Sequence, residues 1–201
     1  MTRFTDEDRE RIRAELIEAG HELFAEFGFD RTRVSDVTDA VGIGTSTFYQ
    51  FFDSKEALYL EVLLVERDRI FERLEAELAG AETAREEAET ILRTMFSQVR
   101  SSPLTSRLFV EGEIRLVEAQ LDGTEHETAD PGEIGKMLPQ PDEWVARDDV
   151  SLDDPDVVRG VLRSLLFVTQ AQGTPLLPTV AYEAVEDALI ETVVDGLFAD
   201  G

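Results

Sequence analysis

The chain of 201 residues carries 44 Asp and Glu against 19 Lys and Arg, a formal net charge of −25 and a pI near 4.3. It has no cysteine, which excludes a disulfide framework and thiolate metal ligands, and its apolar runs, such as residues 161–168, are too short to span a bilayer. With 42% hydrophobic residues for a core and no signal-peptide pattern near the N-terminus, it is expected to be soluble and cytoplasmic.

Taken in order, nearly every segment reads as helix. Ile12, Leu16, Ala19, Leu23 and Phe27 recur at spacings of three and four, one face of a helix ending at Gly28. A short helix over Val34 to Val41 should turn Val34, Val37, Ala40 and Val41 inward. Gly42-Ile43-Gly44 then makes a tight turn, with Gly42 ending the helix in left-handed backbone and Ile43 plugging the angle. From Thr45 a second helix buries Phe48, Phe51 and Phe52 and leaves Thr45, Ser46, Thr47, Tyr49 and Gln50 outward. After Asp53 or Ser54 as cap, a long helix carries Leu58, Val62, Val65, Ile70, Leu74 and Leu78 to a stop at Gly80.

Two amphipathic helices follow over 83–100 and 103–121, separated by Ser101-Ser102-Pro103. Residues 122–141 are rich in Gly, Asp, Glu, Thr and Pro and read as a loop. Beyond Pro155, Val157, Val158, Val161, Leu162, Leu165, Leu166 and Val168 occupy too many faces for a helix with one wet side, so burial on two sides is expected. Residues 173–178 turn the chain into a last helix lined by Ala181, Ala184, Val185, Ala188, Leu189, Thr192, Val193 and Leu197. With no strand pattern or repeat, the fold class is all-α.

Residues 32–56 carry the pattern of a helix-turn-helix, which implies DNA. Gly42-Ile43-Gly44-Thr45-Ser46-Thr47-Phe48-Tyr49-Gln50-Phe51-Phe52, followed by Ser54-Lys55-Glu56-Ala57-Leu58, closely resembles the N-terminal DNA-binding domain of TetR-family transcriptional regulators over roughly residues 9 to 62. Two positions depart from the family pattern. Gly44 stands where a Ser usually caps the recognition helix, and Thr45 where a basic or amide side chain is common. The resemblance implies a three-helix DNA-binding domain over residues 1–55 and a helical effector-binding and dimerisation domain over 56–201. It also implies that the last two helices, about 155–170 and 180–198, form a four-helix homodimer interface, and that a small-molecule effector modulates a regulator expected to be a repressor.

An acidic DNA-binding protein is an apparent contradiction. Residues 1–55 hold seven basic and twelve acidic side chains, whereas 56–201 hold twelve and 32, and from Arg31 to Lys55 the two signs balance. The only lysines are Lys55 and Lys136. Acid excess with lysine scarcity resembles proteins of salt-accumulating halophiles, where self-repulsion is screened over a Debye length of roughly 3 Å at 1 M.

Helix-turn-helix docking puts the start of the second helix in the major groove. Thr45, Ser46, Thr47 and Gln50 are therefore the expected base readers, Gln50 through an amide that can pair with adenine. Arg31, Thr32, Arg33, Ser35, Tyr49 and Lys55 suit phosphates; by resemblance Tyr49 and Lys55 match the family's regular phosphate contacts. Tyr49 could instead be a packing aromatic, and Lys55 a surface charge beside nearby acids. The resemblance further implies a ligand pocket, for which Met95, Phe96, Val99, Leu108, Phe109, Gln120, Trp144 and Gln170 are the candidates; core packing explains the apolar members equally well, while amides and an indole N–H need a partner.

No catalytic or metal pattern stands out, and no cofactor is expected. His21 and His126 lie in no ligand spacing, and acidic pairs such as Asp148-Asp149 read as solvated surface. The competing reading is an acidic all-helical protein-binding dimer whose helix-turn-helix does not bind DNA.

Overall fold

A computed structural model describes residues 5–109, 142–146, 150–152, 154–166, 168–169 and 179–198. Among these residues the fold is all-α: α1 (Asp6–Phe27), α2 (Val34–Val41), α3 (Thr45–Phe48), α4 (Lys55–Leu78), α5 (Ala84–Ser101), α6 (Pro103–Phe109), α7 (Asp142–Val145), α8 (Pro155–Leu166) and α9 (Thr179–Leu197). The expectations for 110–121, for the 122–141 loop, for His126 and for the 173–178 turn lie outside the described residues. The chain divides into two compact units whose described parts meet in sequence at Asp68 and Arg69, inside α4.

Local chemistry explains where the helices start. Thr5 and Asp8 form a reciprocal capping box on α1, the Asp8 N–H donating to the Thr5 hydroxyl at 3.1 Å and the Thr5 N–H to the Asp8 carboxylate at 3.2 Å. Thr83 and Glu86 do the same on α5. Ser54 Oγ accepts from Ala57 N at 3.1 Å before α4, and Ser102 Oγ from Thr105 N at 3.2 Å, where Pro103 opens α6.

In the N-terminal unit, Ile12, Leu16, Ile17 and Phe24 of α1 are buried, as are Val37, Phe48, Phe52, Leu58, Tyr59 and Val62. Each such side chain is worth about 1.5–3 kcal/mol of transfer free energy. The inward face of α1 is offset from the expected one: Phe27 is exposed, and Ala19 and Leu23 are half-buried. The reason is Gly20. A Cβ there would sit 3.2 Å from Leu58 Cδ2 and Val62 Cγ2, so the missing side chain is what lets α4 lie against α1. Beside this crossing, His21 Nε2 lies 3.1 Å from the buried Glu66 carboxylate, and the Phe24 and Tyr59 rings meet edge-on at 4.9 Å. On α2, Ala40 is exposed and Thr38 is buried in its place, its hydroxyl donating to the Ser35 carbonyl.

In the second unit α5 is the central helix, with Ala88, Ile91, Leu92, Met95, Phe96 and Val99 buried. Three arginines on α5 reach α9 in reversed order: Arg85 to Asp195, Arg93 to Asp187 at 2.7 Å, and Arg100 to Glu186. The two helices are therefore antiparallel. Trp144 of α7 is buried, donates its indole N–H to Glu87 at 2.6 Å and meets the Phe198 ring edge-on. On α8, Val158, Leu162 and Leu165 are buried while Val157 is exposed.

Candidate nucleic-acid interface

The turn between α2 and α3 has the backbone its glycine implies. Gly42 sits at φ 77° and ψ 31°, left-handed, with its N–H and that of Ile43 both donating to the Thr38 carbonyl at 2.9 and 3.0 Å. Any other residue at Gly42 is strained by that φ. At the start of α2, Asp36 accepts from the Arg33 N–H at 2.8 Å, which fixes the entry of the chain.

The reading element is a single helical turn, Thr45–Phe48, continued to Phe52 by turns rather than the longer helix expected. Gln50 N–H donates to the Thr47 carbonyl at 3.0 Å and Phe51 N–H to the Phe48 carbonyl at 2.9 Å, both i→i−3 bonds. One turn cannot hold itself together in water. Phe48 and Phe52 anchor it from below, both buried and 5.8 Å apart. From α1, the Arg9 guanidinium donates to the Gln50 carbonyl at 3.2 Å and lies 5.1 Å from the half-buried Phe51 ring, while Arg13 lies 5.4 Å from the Phe52 ring and pairs with Glu61 at 2.7 Å. Arg9 and Arg13 carry no local signal of this role, since their partners lie about 40 positions further along the chain.

On this scaffold Thr45, Ser46, Tyr49 and Gln50 are exposed and Thr47 is half-exposed. Tyr49, 54% exposed, touches Phe48 edge-on but has most of its ring in solvent, against the packing alternative. Arg31, Arg33 and Ser35, at and before the start of α2, are exposed as well. The remaining two candidates are placed differently. Thr32 is 1% exposed, and its hydroxyl donates to the Gly28 carbonyl at 2.8 Å, so this side chain closes the loop after α1 and offers nothing to a phosphate. Lys55 is half-buried: its ammonium donates to the Phe29 carbonyl at 2.8 Å and the Thr32 carbonyl at 3.0 Å, and lies 3.9 Å from the Phe29 ring centroid. It ties the α1–α2 loop to the first turn of α4.

This is the geometry of a helix-turn-helix with its hydrogen-bonding face outward, and residues 16–62 match the family of bacterial regulatory proteins named for TetR. Over 90 residues the chain is 33% identical to the transcriptional repressor KstR2 of Rhodococcus jostii, an alignment covering 45% of this chain and 44% of that protein. It is 26% identical over 83 residues to the fatty acid metabolism regulator of Bacillus subtilis, covering 41% and 43%. The chain thus spans less than half the length of the curated relatives it matches. Beyond that segment the likeness is of fold. A TetR-family regulator from Pectobacterium atrosepticum, 20% identical, covers 98% of this chain and 99% of its own at a TM-score of 0.72. RolR in complex with resorcinol, 19% identical, covers 98% and 92% at 0.64.

In the C-terminal unit, the ligand candidates Met95, Phe96, Val99 and Leu108 are all buried, as packing alone would also require. Trp144 has its indole N–H satisfied by Glu87, so that group needs no ligand. Gln120 and Gln170 lie outside the described residues, as does the Phe109 side chain. What the sequence did not point to is Tyr182 and Glu186 of α9, whose buried polar atoms include two without a partner among the described residues.

Proposed function

We propose that this protein is a sequence-specific DNA-binding transcriptional regulator of TetR type, a cytoplasmic repressor that dimerises and whose hold on operator DNA is altered by a small-molecule effector. The observation that carries this reading is the outward row of exposed Thr45, Ser46 and Gln50 with half-exposed Thr47, on an element packed by other residues. Residues 1–55 then read DNA, and residues 56–201 dimerise and hold the effector. The KstR2 repressor, similar over its matched part, supports the repressor role, and RolR, of the same fold, was solved with a small phenolic molecule.

Dimerisation is supported by the second face of α9. Ala184, Ala188, Thr192 and Gly196 are exposed at intervals of four, flanked by the half-buried Val185, Leu189 and Val193, and nothing lies within 4 Å of where a Cβ of Gly196 would be. An apolar, small-residue face of this kind fits close helix approach by a second copy. The charge pattern supports work in molar salt.

The test is fluorescence anisotropy on duplexes from the DNA upstream of the protein's own gene, in molar potassium chloride. Saturable, sequence-dependent binding is expected, with Gln50→Ala relaxing preference at one position per half-site by about 1–3 kcal/mol. A folded protein that binds no duplex refutes the reading.

A further inference from the structure

The polar cluster between α5 and α9 contains two buried atoms with no hydrogen-bond partner among the described residues. Glu186 is 5% exposed; one carboxylate oxygen accepts from the Arg100 guanidinium, and the other, Oε2, is buried with no hydrogen-bond partner. One helical turn earlier on the same face, Tyr182 is 1% exposed and its hydroxyl is likewise buried and unpartnered. Burial, and then the Glu186 charge, push the Tyr182 phenol up to about 12, so it stays a neutral O–H across the working range. Orphaned polar atoms at this depth are rare in folded proteins and call for an occupant.

A second copy of the chain cannot be that occupant. Tyr182 and Glu186 share their face of α9 with Ile190, Val194 and Leu197, all buried within the protomer, whereas Ala184, Ala188 and Thr192 face outward. We propose that Arg100, Tyr182 and Glu186 form a recognition point for a neutral hydroxyl group, alcohol or phenol, of the small-molecule effector. This rests on the effector reading above. The ligand hydroxyl accepts from the Tyr182 O–H and donates to Glu186 Oε2, so one group satisfies both atoms. Arg100 already balances the Glu186 charge, which leaves no call for an ammonium, and Glu186 opposes a carboxylate. A trapped water offers the same donor and acceptor, and the experiment separates the two.

Calorimetric titration of the full chain in 2 M potassium chloride with phenol and cyclohexanol, against toluene and benzoate, tests the assignment. One saturable site per chain is expected for at least one hydroxyl probe, about tenfold tighter than for toluene or benzoate. Tyr182→Phe and Glu186→Gln should each weaken that probe about tenfold and leave toluene unchanged, whereas Glu72→Gln at an exposed position of α4 should change neither. A crystal of the wild-type chain soaked in the probe, which needs no variant to fold, should place its oxygen within hydrogen-bond distance of both side chains. Absence of saturable hydroxyl binding, equal binding by folded variants, or a water retained between Tyr182 and Glu186 in the soaked crystal overturns the proposal. Anisotropy on DNA is run alongside: loss of hydroxyl binding with DNA binding intact rejects this site alone, and the reverse rejects the regulator reading alone.

Discussion

Lys55→Met separates two roles for the one lysine in the N-terminal unit. Methionine keeps the length of the stem but removes an ammonium that donates to the Phe29 and Thr32 carbonyls at 2.8 and 3.0 Å and lies over the Phe29 ring. Hydrogen bonds from a charged donor are worth about 1.5–3 kcal/mol each, and a cation–π contact at a partly exposed site about 0.5–1. These terms share one group and do not add. Releasing an ordered lysine returns up to ~2 kcal/mol of side-chain entropy, so the net loss should be about 2–3 kcal/mol. Urea melts at 2 M potassium chloride read this as a lower midpoint at unchanged slope. DNA affinity should fall for every sequence alike. If Lys55 acts as a clamp, the log-log dependence of affinity on salt stays as in the wild type; if it neutralises a phosphate, the slope magnitude drops by about 0.9. A melt within about 0.5 kcal/mol of wild type together with that drop in slope would refute the clamp.

Gly20→Ala should gain about 0.5–1 kcal/mol of helix propensity and lose about 1–3 to overpacking against Leu58 and Val62, for a net destabilisation measurable by the same melts. Leu189→Asp, on the open side of α9, should convert dimer to monomer in light scattering with helicity retained, whereas Leu165→Asp places a carboxylate in the protomer's own core and should unfold its unit. Because the Tyr182 phenol is held up at about 12 rather than 10, its contribution to stability is full below pH 10 and is lost as pH rises toward 12. Tyr182→Phe should flatten that alkaline limb in pH-dependent melts. Between about 0.5 and 2 M potassium chloride, DNA affinity should change little or rise, since an acidic body gains little from counterion release; a steep fall in anisotropy titrations of folded protein would count against adaptation to salt.

What the sequence disclosed were features set by neighbours along the chain. Gly42 and Ile43 announce a turn, Ser54 a cap and Pro155 a helix start, because each acts within four residues of itself. The face of α1 was misread at Ala19, Leu23 and Phe27 because Gly20 is buried for what it lacks, which no hydrophobicity pattern registers. Arg9, Arg13 and Lys55 depend on partners about twenty to fifty positions away, so their work on the reading element and its loop is invisible locally. Glu186 looked like one acid among 44, and only the meeting of α5 with α9 sets it against Arg100. The capping boxes Thr5-x-x-Asp8 and Thr83-x-x-Glu86 are just as local and fix two helix starts, although neither helix was placed by its cap from sequence.

The grip of α1 on the reading turn falls on the carbonyl of residue 50 and on the rings of Phe51 and Phe52, never on the side chains of Thr45, Ser46, Thr47 or Gln50. Those four positions can therefore drift without loosening the fold that presents them. Under the proposed DNA reading, duplicated copies of such a gene can diverge toward new operators one substitution at a time, each tried at little cost in stability, while Arg9, Arg13, Phe48 and Phe52 keep the scaffold.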